Sequence, residues 1–210
     1  MQPFGYAAPT SVEVAVKLLA DAKGRARPIA GGTDLLVQLR RETRNLDLVV
    51  DVKRIAALKA VTYDPEEGLK VGAAVTCAEL GEHPEVHQHY PGLWDAASII
   101  GGPAIQSRAT LGGNLCNAAP SGDAIPAMIV LGAAAEVIGP KGGRTIPVAD
   151  FCTAPGETVL NPDELLISLR FPSPEPHTGA HYLRFTPRAE MDIAVAGAGA
   201  WVTLSASSNE

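Results

Sequence analysis

Two short stretches of this 210-residue chain gather residues suited to holding an anion. The first, RPIAGGTDLL over residues 27–36, runs from an apolar strand-like piece through a glycine pair into a helix opening. The second, IIGGPAIQSRATLGGNLCNAAPSGDAIPAMIVL over residues 99–131, sets two glycine pairs beside Thr110, Asn114, Ser121 and Asp123 between apolar flanks. A phosphate needs several donors at short radius, and glycine lets successive amides converge where a Cβ would block the approach. Gly31, Gly32 and Thr33 can supply such donors. So can Thr110, Gly112, Gly113 and Asn114, with a hydroxyl and a side-chain amide added. A carboxylate beside a phosphate would be repelled, so the natural partner of Asp123 is a hydroxyl on a sugar or ribityl chain. The spacing fits neither the Rossmann fingerprint nor a P-loop, since no Gly-Lys-Thr or Gly-Lys-Ser follows. A single glycine pair is more often a turn, but two clusters of this kind read as two loops closing on one phosphorylated ligand.

The elements that position these loops follow from periodicity. Residues 12–19 read as a helix capped by Thr10 or Ser11 and ended by Gly24. Residues 27–30 form a strand, Thr33 caps a helix carrying Leu35, Leu36 and Leu39, and residues 46–52 form the next strand. Residues 58–63 pair with 69–73 through the turn at 64–68. Thr76 and Glu79 make a capping box, another helix begins near Pro84, and a third covers 91–100. Beyond the second loop come a helix over 124–131, a hairpin of 135–139 with 145–148, and a strand over 165–171. After a linker at 172–178, residues 180–185 and 193–204 read as strands, the latter opening a new domain.

Composition narrows the function classes. Seventeen basic against 23 acidic residues give a net charge of -6 with no basic footprint for nucleic acid. No apolar run approaches the roughly 20 residues that span a bilayer, and residues 1–16 lack a signal pattern, so a soluble cytoplasmic protein is expected. Cys77, Cys116 and Cys152 are odd in number and far apart, which fits reduced thiols and is too few for an iron-sulfur cluster. His83 and His87 have Pro84 between them and no third ligand nearby, which reads as surface histidines rather than a metal site.

The segments AGGTDLL and IGGPAIQSRATLGGNLCNAAPSGDAIPA, together with DELLISLRFP and YLRFTPRAEMDIA, closely resemble the FAD-binding, or medium, subunit of the molybdenum hydroxylases of the carbon monoxide dehydrogenase and xanthine dehydrogenase type. The resemblance covers essentially the whole chain. It implies an α+β fold: a two-subdomain FAD-binding domain of the vanillyl-alcohol-oxidase (PCMH) type over 1–176, with subdomains 1–55 and 56–176. Residues 177–210 would be a linker and the first strands of an incomplete α+β C-terminal domain.

The resemblance also implies roles for residues. Arg27, Pro28, Ile29, Ala30, Gly31, Gly32, Thr33, Asp34 and Leu35 would wrap the FAD pyrophosphate and nearby adenosine. Ile100, Gly101 and Gly102 would lie along the second side of the cofactor, and Thr110, Gly112, Gly113, Asn114 and Cys116 would complete the pyrophosphate and ribityl contacts. Asp123 would bond the adenine ribose or an adjacent hydroxyl, and Leu166 and Ile167 would pack on the flavin ring or adenine. Arg184 would stand near the pyrimidine end of the isoalloxazine, where a cation stabilises the reduced ring.

No catalytic acid or base and no metal ligand is implied in this chain. Molybdopterin would sit in a large subunit and two 2Fe-2S clusters in a small subunit, the whole assembling as a dimer of heterotrimers. Electrons would pass from the clusters through FAD to an external acceptor. The competing readings are a stand-alone flavin oxidoreductase acting directly on an organic substrate, which wants a substrate domain and a catalytic residue absent here, and a non-catalytic nucleotide-binding module.

Overall fold

In the computed structural model, which describes residues 2–188 and 192–205, the chain opens with a small parallel sheet. Strands β1 (Gly5–Ala7) and β2 (Ala26–Ile29) flank β3 (Leu48–Asp51), with helices α1 (Val12–Asp21) and α2 (Leu35–Arg40) as crossovers. Ser11 caps α1, whose Ala15, Val16 and Leu19 are buried. The start of α2 departs from expectation, because Asp34 rather than Thr33 holds the cap position and makes no side-chain cap bond. Gly32, at φ +76°, turns the chain there, and the Leu36 amide donates to the Gly32 carbonyl at 3.1 Å. Backbone alone therefore starts this helix.

The larger layer is an antiparallel sheet in the order β4-β5-β10-β6-β7. It begins with β4 (Val61–Asp64) and β5 (Gly68–Gly72) as the expected hairpin, although residues 56–58 form a 3-10 turn instead of extending β4. Six short helices follow: α3 (Cys77–Gly81), α4 (Pro84–His89), α5 (Pro91–Ser98), α6 (Pro103–Gln106), α7 (Leu111–Asn117) and α8 (Ala124–Val130). The capping box of α3 is present in full. Proline opens α4, α5 and α6, where its missing N–H costs nothing. Residues 110–117, expected as glycine loop, are instead the capped helix α7, because the Thr110 hydroxyl accepts from the Gly113 amide at 2.8 Å.

The sheet is completed by β6 (Ala134–Gly139), β7 (Gly142–Pro147) and, after the small ladder β8 (Cys152–Ala154) with β9 (Glu157–Thr158), by β10 (Leu165–Phe171). Fully buried Leu69, Leu115, Met128, Leu169 and Phe171 join helices and sheet in one core. Finally β11 (Thr178–Phe185) and β12 (Ala196–Thr203) pair antiparallel and pack on α5 and α8, burying Tyr182 against Ala96 and Ala127. The other face of this hairpin leaves Leu183, Phe185 and Val202 exposed. Residues 189–191 of the YLRFTPRAEMDIA segment and the polar 206–210 lie outside the described residues. Among the described residues no group of three or more His, Cys, Asp or Glu could hold a metal, and no helix is long and apolar enough to cross a membrane.

One buried carboxylate ties the parallel sheet together. Asp51, 7% exposed, accepts from the Tyr6 hydroxyl on β1 at 2.5 Å and from the Lys53 amide at 3.0 Å, with the Lys53 ammonium 2.8 Å away. Burial pushes its carboxyl upward, but the bonds from Lys53 and Tyr6 outweigh that and hold it below its ordinary value. Asp51→Asn should therefore lower stability near neutral pH by about 1–3 kcal/mol, the scale of a buried hydrogen bond to a charged group. A depressed native pKa gives stabilisation that is complete above the ordinary carboxylate range and lost as pH falls through the native value. Wild type and variant should thus converge in acid during denaturant titrations, and a gap independent of pH would refute the role.

Candidate functional site

A cavity of about 530 Å3 opens between the parallel sheet and the antiparallel one, within the range usual for small-molecule sites. One wall is β2 and the turn after it, residues 27–35. Among the described residues, the amides of Gly31, Gly32, Thr33 and Asp34 have no hydrogen-bond partner, so four successive donors are available along this wall. Arg27 lies half-buried beside them, donating to the Ala26 carbonyl at 3.0 Å. Burial lowers its pKa, and the charge of Arg44 adds to the drop. Burial raises the carboxyl of Asp34, so desolvation at this wall works against the charged form of both side chains.

The facing wall is the first turn of α7 with the peptide ahead of it. Thr110, Gly112, Gly113, Asn114, Cys116 and Asn117 line the cavity. Asn114 lines the cavity, but its Oδ1 is buried without a partner on the side of Gly122, whose added Cβ would stand 3.1 Å from it and which is not part of the lining. Cys116 opens to the cavity but is ringed by protein, and burial pushes its thiol up to about 12, with Cys152 adding to the rise.

The two glycine clusters meet directly. A Cβ on Gly31 would stand 2.0 Å from the Arg108 carbonyl oxygen, and one on Gly112 would stand 2.6 Å from that of Ala73. Gly113 differs, because its Cβ would meet only the Thr110 hydroxyl, at 3.0 Å, and it faces open space.

Several residues expected in the site lie outside this cavity. Ile100 lines it, but Gly101 and Gly102 do not; Leu166 lines it, but its neighbour Ile167 is buried in the core. Asp123 and Arg184 come together, yet away from the cavity lining. Asp123 accepts from Arg184 Nη1 and from the Tyr182 hydroxyl, each at 3.0 Å, so in the structure its partners are protein groups rather than a free hydroxyl. Burial raises its carboxyl against the opposing pull of Arg184 and Tyr182. Conversely, the cavity includes Gln38, Arg44, Asn117 and most of residues 156–164, which sequence reasoning missed. The Pro155-Gly156 and Asn161-Pro162 pairs were turn signals that could have flagged the last segment. It is held in place by Gly156 donating to the Ala118 carbonyl at 2.9 Å and by Arg144 gripping Glu164 through two 2.8 Å bonds.

The adjacent glycines should separate in their effects. Gly112→Ala forces backbone apart and should cost about 1–3 kcal/mol, as overpacking does, lowering Tm by several degrees. Gly113→Ala should leave Tm nearly unchanged. Equal melting temperatures for the two variants would contradict the assigned packing.

Residues 2–174 match a family model described as the FAD binding domain in molybdopterin dehydrogenase. The xanthine dehydrogenase FAD-binding subunit of Escherichia coli O157:H7 is 37% identical over 191 residues, which cover 90% of this chain and 65% of that subunit. The nicotinate dehydrogenase FAD-subunit of Eubacterium barkeri is 30% identical over 203 residues, covering 95% and 68%. Among solved structures, a chain of the reconstituted CO dehydrogenase from Oligotropha carboxidovorans superimposes with a TM-score of 0.93 at 30% identity, covering 98% of this chain and 71% of that one. The chain thus spans about two-thirds of the length of these relatives. By this match and by the α+β architecture that carries it, the chain belongs to the family of FAD-binding domains of molybdopterin dehydrogenases.

Proposed function

We propose that this chain is the FAD-carrying electron-transfer part of a multi-subunit molybdenum hydroxylase. Its partners would be a molybdopterin large subunit and an iron-sulfur small subunit, in a dimer of heterotrimers. When bound, FAD supplies the redox chemistry, taking electrons from the iron-sulfur side and passing them to an external acceptor. The residues here bind and orient. The amides of residues 31–34 would hold the phosphates, with the α7 turn at Thr110, Gly112, Gly113 and Asn114 opposite them. Leu166 and Ile100 give the rings an apolar wall, and Cys116, with its raised pKa, stays a neutral thiol beside them. Arg184, paired with Asp123 at 3.0 Å outside the cavity lining, would act on the ring only from the hairpin side. The exposed face of β11 and β12 is the start of the C-terminal domain.

The observation that carries the reading is the run of four unpartnered amides set across one cavity from the first turn of α7, whose Thr110, Gly112, Gly113 and Asn114 line the facing wall. Gly113→Val tests it, since Gly113 lines the cavity and a Cβ there meets only the Thr110 hydroxyl, at 3.0 Å, with a thermal melt to confirm that the variant folds. The purified wild-type chain should take up FAD in near-stoichiometric amount by absorbance, while the variant should bind at least about tenfold more weakly, a loss of about 1.4 kcal/mol or more. Normal FAD content in a folded Gly113→Val protein would overturn the site. Reduction of the bound flavin by a small organic donor without partner subunits would instead favour a stand-alone oxidoreductase.

A further inference from the structure

Arg44 was conspicuous neither by motif nor by periodicity, yet it lines the cavity with Arg27. Neither arginine has an acidic partner among the described residues: Arg27 donates only to the Ala26 carbonyl, and Arg44 Nε donates to Gln38 Oε1 at 2.7 Å. Gln38 in turn donates through Nε2 to Asn117 Oδ1 at 2.9 Å, at the end of α7 across the cavity. This relay consumes both ends of the Gln38 amide and fixes which way it points, so Arg44 is held by a strut that spans the two walls. The cavity acids do not discharge the pair. Glu164 is engaged by Arg144, and among the described residues neither Glu157 nor Asp34 forms an ion pair with either arginine. Two like charges therefore line one cavity; burial depresses Arg27 first, and the charge of Arg44 adds to it. Such an arrangement is costly unless an anion joins it.

The geometry points to a second anion receptor in the cavity, made of Arg27 and Arg44 and positioned by Gln38 and Asn117, alongside the amide run of residues 31–34. Two receptors in one cleft suit a ligand with two linked phosphates. They select a flavin dinucleotide over a flavin mononucleotide, whose single phosphate is satisfied by the amides alone. This inference rests on the flavin-binding reading above and adds residues and a selectivity to it. Arg44 is a contact residue and Gln38 a positioning residue.

The test is titration of the full-length chain with FAD and with FMN, read by flavin fluorescence, for wild type, Arg44→Met and Gln38→Leu, with thermal melts to confirm folding. In wild type FAD should bind more tightly than FMN, and its affinity should fall as salt is raised. Arg44→Met should weaken FAD at least tenfold, flatten the salt dependence and leave FMN within twofold. Gln38→Leu, which keeps the charge but frees Arg44, should weaken FAD by a smaller factor with FMN again unchanged. Equal losses for both flavins, or unchanged FAD affinity in a folded Arg44→Met protein, would overturn the second receptor while leaving flavin binding intact. A wild type that takes up neither flavin would overturn the reading on which the inference rests.

Discussion

The site depends on backbone meeting backbone at Gly31. With 2.0 Å between a would-be Cβ and the Arg108 carbonyl oxygen, the turn after β2 can lie against the segment leading into α7 only if that position has no side chain. This contact joins the parallel sheet to the helical side of the antiparallel one and sets the width of the cavity between them. A second close approach, Gly112 on Ala73, seats α7 at the end of β5. The glycines thus do two different things. Gly31 and Gly112 bring the walls together, whereas Gly32, at φ +76°, and Gly113 shape the surface that faces the ligand.

Close packing at these points leaves a polar debt that the fold does not settle by itself. Buried polar groups are normally paired, and most of this chain obeys: Asp51, Ser168 and the largely covered Glu164 all have protein partners. Among the described residues the buried side-chain atoms without a partner are His83 Nδ1, outside the cavity lining, and Asn114 Oδ1; Asn114 lines the cavity together with the unpartnered amides of residues 31–34 and the two arginines without acids. The coincidence of these lining groups in a single cavity is what separates a ligand site from a mere crevice between sheets.

The sequence exposed this site unevenly, for physical reasons. Glycine pairs advertise close approach locally, so the wall at residues 27–35 and the turn at 110–114 were legible. The Thr76 and Glu79 capping box was legible too, because its partners are three residues apart. Reading residues 110–117 as loop gave the glycines too much weight; Thr110 as cap with Leu111 and Leu115 on one face were helix signals, and both leucines are buried. Arg44, Gln38 and Asn117 were illegible because their relation spans 79 residues and two elements, with no period to mark it. Asp123 and Arg184 were both chosen, but their contact with each other is a tertiary fact.

Those last two residues show how the fold distributes positive charge. Arg184 is matched by Asp123 at 3.0 Å, in surroundings where their side chains are only 16% and 11% exposed. A pair of this kind is neutral as a unit, and its contribution is to hold the β11 strand, through Tyr182 as well, against the start of α8. Breaking it would strand a buried charge. Arg27 and Arg44 are the opposite case: among the described residues neither has an acidic partner, and both line the cavity. An anion bound between the walls in the folded state alone would add its binding energy to folding stability. On the proposed reading, the junction of the two sheets would then depend on the ligand that the same residues recognise.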